Sequence, residues 1–218
     1  MSTPPSDTSA SNISAPNTPP PAAATSGARA ASSEAADALF PALLGADFDR
    51  LPPPVRRLHL RAGAACYAGE VQVDRGPHPL ARLCAWATRL PPASAGPLQV
   101  EIVAADGREA WTRHIGGRAM PSRLWAGRGA MAGLLCERLG LVVFGFALTV
   151  EPGAHGPQIV WRVRRLRVFG LLPLPAHWFD GVEARESVDG EGRYHFDVRA
   201  ALPLAGRLVH YRGWLEVP

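Results

Sequence analysis

The chain has 218 residues, 47% of them hydrophobic, and a formal charge of +4; this is enough for one sizeable core, and too modest a charge to nominate a nucleic-acid partner. Arginine supplies the whole Lys+Arg count of 23, alongside 22 Gly and 22 Pro, the composition expected of a high-GC bacterial gene. The most apolar stretch, Leu141 to Val150, is too short to cross a bilayer, and no basic start followed by an apolar run suggests a secretory signal, so a cytoplasmic location is expected.

Residues 1–33 are Ser, Thr, Pro and Ala with one Arg and no aromatic, and are expected to form a disordered tail. Order is expected over 34–218. The segment "SEAADALFPALLG" predicts a helix over about 34–44, with Ser33 as N-cap, acids in the first turn and Gly45 as the stop. Prolines Pro52 to Pro54 then open a short helix over 53–60. "GEVQVDRG" alternates with a period of two and reads as a strand. "PHPLARLCAWATRLPP" places Leu80, Leu83, Cys84, Ala87 and Leu90 at helical spacing, predicting an amphipathic helix over 79–90.

From Leu98 onward the period is two. Strands are expected at "LQVEIV", "EAWTRHI", "AMPSRLWAG", "LLCERLG", "LVVFGFALTV", "QIVWRVRRLRVF", "GVEARESV", "RYHFDVRAAL" and "RLVHYRGWLEVP", joined by turns such as Asp106-Gly107 and Asp189-Gly190. The expected fold class is α+β, mostly β: N-terminal helices, then a bent antiparallel meander of about eight strands closing partly or fully into a barrel. In "WRVRRLRVF" the apolar phase slips between Val163 and Leu166, and Arg164–Arg165 absorb the slip as a β-bulge would. The closing strand puts Val209, Tyr211, Gly213 and Leu215 on one face and should complete the sheet, with Gly213 a point of close backbone approach. A helix-grip fold is the alternative, but the C-terminal segment lacks a helical apolar stripe.

Chemistry-bearing motifs are scarce. No G-x-G-x-x-G joins a strand to a helix, no Walker lysine exists without Lys, and no nucleophile elbow is present. Cys66, Cys84 and Cys136 form no CxxC pair, have no His at zinc-like spacing, and read as small buried apolar residues in a reduced compartment. His195 and Asp197 share one strand face and read as its wet side. Glu101, Glu109, Glu137, Glu183 and Asp197 are the main carboxylates of the β-rich part, and spacing alone pairs none of them. The sequence therefore nominates no catalytic residue, metal ligand or cofactor. Its distinctive feature is Trp beside Arg on strands. Aromatics with a few convergent polar groups line small-molecule cavities, so Trp111, Arg113, Trp125, Phe144, Trp161, Tyr211 and Trp214 are the candidate ligand-binding residues, with an arginine to hold a carboxylate or phosphate head group.

The blocks "LFPALLGADFDRLPPPVRRLH", "EAWTRHIGGRAMPSRL", "ERLGLVVFGFALTVE" and "YHFDVRAALPLAGRLVHYRGWLE" together resemble the bacterial domain-of-unknown-function family numbered four-one-six-six, from Leu39 to Glu216. Members of that family occur alone or joined to Rossmann-type reductase-like domains; no dinucleotide-binding half lies within these residues. The family has no established activity, so the resemblance implies a bacterial cytoplasmic domain and assigns no site residue. Three classes of function follow: a non-catalytic binding module for an apolar or amphipathic small molecule, then an auxiliary domain docking on a reductase-like partner, then a small enzyme. A large cavity favours the first, an exposed apolar patch the second, and convergent titratable groups the third.

Overall fold

A computed structural model describes residue 1 and residues 38–218; the expected tail and the start of the first expected helix lie outside the described residues. Helix α1 (Leu39–Leu44) runs into a 3-10 turn (Gly45–Arg50), and α2 (Pro53–Leu60) follows with prolines in its first turn, where a missing N–H costs nothing. Strand β1 (Gly63–Arg75) leads to α3 (Pro79–Thr88), which His78 caps by accepting from the Leu80 N–H at 3.2 Å. The remaining strands are β2 (Ser94–Ala105), β3 (Arg108–Ile115), β4 (Arg118–Ala126), β5 (Leu135–Leu139), β6 (Val142–Gly153), β7 (Gly156–Val168), β8 (Leu172–Leu174), β9 (Val182–Val188), β10 (Tyr194–Leu202) and β11 (Gly206–Leu215).

All eleven strands lie in one antiparallel sheet in the order β6-β5-β4-β3-β2-β1-β11-β10-β9-β7-β8, and β6 also pairs with β7. That last pairing closes ten strands into a barrel, leaving β8 as a short appendage beside the end of β7. The strand count exceeds the expected eight or so: "GEVQVDRG" and the nine stretches from Leu98 onward all form strands, and the one strand not expected, β8, has three residues and no alternation of its own; β1 also begins at Gly63, six residues before its alternating part. The closing strand sits between β10 and β1, joining the two ends of the sequence's β region. A β-carbon at Gly213 would lie 2.0 Å from the Glu70 carbonyl oxygen, so the two backbones meet where only glycine fits.

The phase slip in β7 is a register shift against β6. Gly145 faces Arg165 and Phe146 faces Val163, so Arg164 has no partner across the ladder. Both arginines are exposed while Val163 and Leu166 remain buried, which is the outcome a bulge secures.

The two ends of the barrel differ. At one end α1, the 3-10 turn and α2 form a plug: Leu39, Phe40, Phe48, Leu51, Val55 and Leu58 are buried in the same cluster as the barrel's inner side chains. At the other end α3 lies across β11, where Ala81 packs on Ala205 and Leu208, and the chain turns between strands are left around an opening. No helix among the described residues is long and apolar enough to cross a membrane.

Candidate functional site: an apolar barrel cavity with a buried polar cluster

The barrel interior is not filled. A cavity of about 430 Å³ runs inward from α3 and the segment before β9, and its wall is overwhelmingly apolar. Packed interiors hold few voids larger than one water, whereas this volume falls in the range of ligand sites. Leu83 and Trp178 stand at its entrance, both lining it and exposed to solvent. Phe144, Phe146, Trp161 and Phe196 form much of the interior wall, with Phe144 and Phe146 stacked at 5.5 Å and Phe146 edge-on to Trp161 at 5.6 Å.

Alternation explains which candidates reach it. On β3, Glu109, Trp111, Arg113 and Ile115 share the inward parity; on β11, Val209, Tyr211 and Leu215 do. Of the seven residues expected at a pocket, the structure brings together Trp111, Arg113, Phe144, Trp161 and Tyr211 on the cavity wall. Trp125 and Trp214 are not among them. Trp125 shares the parity of exposed Arg123 and borders a shallow outer cleft with Arg108 and Arg138. Trp214 lies on the outer face, because β11 turns Leu215 inward; the guanidinium over its ring, 4.2 Å away, is that of Arg193 and not of neighbouring Arg212, which donates to Gln72. Residues two apart share a strand face, so Trp111 and Arg113 pair inside the barrel, whereas Arg212, on the same outer face as Trp214, turns to Gln72 instead.

Polar groups converge on and behind the cavity wall from six strands and the plug. Arg113 donates to Ser122 at 3.0 Å, lies 3.5 Å from Glu137, and stacks 4.8 Å from the Trp111 ring centre. Glu186 meets His59 of α2 at 2.5 Å, both buried, and His59 is stacked under Phe40 at 3.6 Å. Glu109, behind Trp111, accepts its indole N–H at 2.7 Å. Tyr194 and Tyr211 complete the lining. Burial pushes both phenols up: Tyr211 to about 12, with Glu137 and Glu186 adding to the shift against Arg113, and Tyr194 well above its ordinary value, with Glu186 again adding. Both tyrosines are therefore protonated hydrogen-bond donors at neutral pH.

Among the described residues six buried side-chain atoms have no hydrogen-bond partner, and three of them lie at or beside the cavity, His59 Nδ1 being one. Glu137 Oε1 is buried without a hydrogen bond, because the Arg113 guanidinium is near it but not aligned on it, and Trp161 Nε1 has no acceptor. Unpaired buried polar atoms are costly.

Glu137 and Glu186 on the cavity wall, and His59 behind it, were not singled out from the sequence. The signal was there as parity: Glu137 sits between Leu135 and Leu139, Glu186 shares a row with Val182, Ala184 and Val188, and His59 follows Val55 and Leu58 on the apolar face of α2. The cysteines need correction. Cys136 is buried, but Cys84 is half-buried at the cavity wall and Cys66 is exposed on the outer face of β1. Burial raises the thiols of Cys84 and Cys136, the opposite of activation. Among the described residues, no three His, Cys, Asp or Glu side chains gather as a metal ligand set.

A family model described as domain of unknown function, DUF4166, matches residues 51–215. The chain belongs to that family. The matched span takes in every strand of the DUF4166 barrel, His59 and the remainder of the polar cluster, and leaves Phe40 and α1 outside it. No curated protein matches the chain.

Proposed function

We propose that the barrel is a binding module for an elongated apolar molecule whose inner end carries a hydrogen-bond donor, such as an alcohol. The observation that carries this reading is the 430 Å³ apolar cavity with Glu137, whose buried Oε1 has no hydrogen bond, in its wall. Each methylene moved from water into such a wall contributes about 0.8 kcal/mol, so an alkyl or isoprenoid chain supplies the affinity. The polar end supplies the selectivity. Arg113 alone would favour a carboxylate, but Glu137 stands 3.5 Å from it and Glu186 also lines the cavity. An anionic head group brought to Arg113 would meet two carboxylates in a medium that screens them poorly. A hydroxyl instead donates to Glu137 and accepts from a protonated tyrosine. Three unpaired cysteines suit a cytoplasmic setting.

The test is a thermal-shift series on delipidated protein with probes of matched chain length ending in an alcohol or a carboxylate. The alcohol should raise the unfolding temperature more than the acid, and Glu137→Gln should narrow that preference. Native mass spectrometry of protein from a bacterial host should show a co-purifying apolar molecule. Failure of every probe, with ligand-free protein in the mass spectrum, overturns the binding reading; a stronger response to the acid overturns the assignment of the polar end alone.

A further inference from the structure

Apolar side chains cluster outside the barrel as well as inside it. From α3, Leu83 and Trp86 are exposed, Trp86 at 72%; from the turn between β7 and β8 come Phe169 and Leu171, at 82%, followed by Leu172 at the start of β8; Trp178 and, between β10 and β11, Leu204 at 87% complete the set. All belong to segments at the open end. The contacts between those segments are direct: Leu141 donates to the Ala87 carbonyl at 3.0 Å, Phe169 donates to Leu141 at 2.7 Å, and Ala201 donates to Gly181 at 2.9 Å. These are seven large apolar groups on one rim, whereas an ordinary soluble surface scatters such residues singly. Phe169 adds a second sign. It is held at φ 54°, a backbone conformation that bulky residues rarely adopt, and its ring is nonetheless turned to solvent.

The rim also carries charge of one sign. Arg82 and Arg89 of α3 and its end, Arg118 at the start of β4, and Arg207 at the start of β11 are exposed at this end; in the segments 76–93, 115–118, 139–142, 168–181 and 202–207 the single acid is Asp180. We infer that the open end of the barrel docks on an anionic lipid bilayer, its Trp, Phe and Leu side chains entering the interface and its arginines meeting the head groups. Aromatic and aliphatic residues displayed on loops, ringed by arginine, match the two forces that hold a protein at such a surface. The choice of a bilayer over a protein partner rests on the binding reading above: Leu83 and Trp178 belong to both rim and cavity, so an insoluble ligand could pass from membrane to barrel without crossing water.

The experiment is vesicle flotation of the full chain with phosphatidylcholine alone and with phosphatidylcholine–phosphatidylglycerol mixtures. The protein should float with the anionic vesicles, with affinity falling as salt rises. Trp86→Gln and Leu171→Asp, both at exposed positions outside the cavity wall, should each lower that binding about ten-fold or more without changing the unfolding temperature. Absence of flotation with either vesicle, or flotation indifferent to both substitutions, overturns the inference, as does stoichiometric capture of a reductase-like protein through this rim in place of vesicles. Ala200→Phe, which fills part of the cavity, separates the two readings: it should abolish ligand uptake and leave vesicle binding intact.

Discussion

Glu109 shows what a single buried carboxyl does in this barrel. Its exposure is 7%, and burial raises its proton affinity; Glu186 adds to the shift, while His59, the Trp111 N–H and Arg113 oppose it. The folded state therefore keeps this proton to a higher pH than the unfolded chain does. The stability it contributes is full below the unfolded carboxyl range and is lost as pH rises toward the folded value. Glu109→Gln removes that dependence, and its amide oxygen can still accept from Trp111. Chemical denaturation between about pH 4 and about pH 8 should show the variant gaining stability relative to wild type as pH rises. A difference that is flat with pH would mean that folding leaves the proton affinity of Glu109 unchanged, and one that runs the other way that folding lowers it.

At the scale of the element, β7 must serve two partners with one run of residues. Its first half pairs with β9 and its end with β8, while β6 runs along its whole length. Arg164 is the residue that lets both halves point their apolar side chains inward. Deleting it would move Leu166 and Val168 to the outer face and expose their cavity-lining surfaces, so soluble expression should be lost. Arg165→Ala removes only an exposed side chain and should stay within about 0.5 kcal/mol of wild type by denaturant titration. Equal tolerance of both changes would show that the strand can re-register. Sequence made this bulge legible because the slip is local: the alternation on both sides of Arg164–Arg165 is strong, and a phase jump between them has few other causes.

At the scale of the molecule, the barrel has one sealed end and one open one, and Phe40 is the centre of the seal. Its ring is fully buried, stacked on His59 and 5.5 Å from Trp161. Phe40→Ala should cost about 3–5 kcal/mol through the lost burial and the void left beside the His59–Glu186 pair. Equilibrium unfolding in denaturant measures it, and a cost under about 1 kcal/mol would mean that the plug packs loosely. On the proposed binding reading the same asymmetry orders a ligand, since a polar cluster on the plug side leaves the apolar chain toward the open rim.

The linear order of residues by itself determined the β-rich fold class, the helix at 53–60, the helix expected over 79–90 that ends at Thr88 in the structure, the alternation of the closing strand though not which of its faces turns inward, and the bulge, because each depends on neighbours within one element and on the two periods of helix and strand. Closure did not follow from it. The pairing of β6 with β7 is local, but the return of β11 to β1 joins segments from opposite ends of the chain, and only the accumulated twist of ten strands decides that they meet. The polar cluster is a consequence of that closure. Arg113, Glu137, Glu186 and His59 are far apart in sequence and carry no motif, and they converge because the barrel turns each of their elements toward one axis. Trp125 and Trp214 mark the same boundary from the other side, since their chemistry suited a pocket and the strand parity, once the inner face was fixed, turned them to the outside.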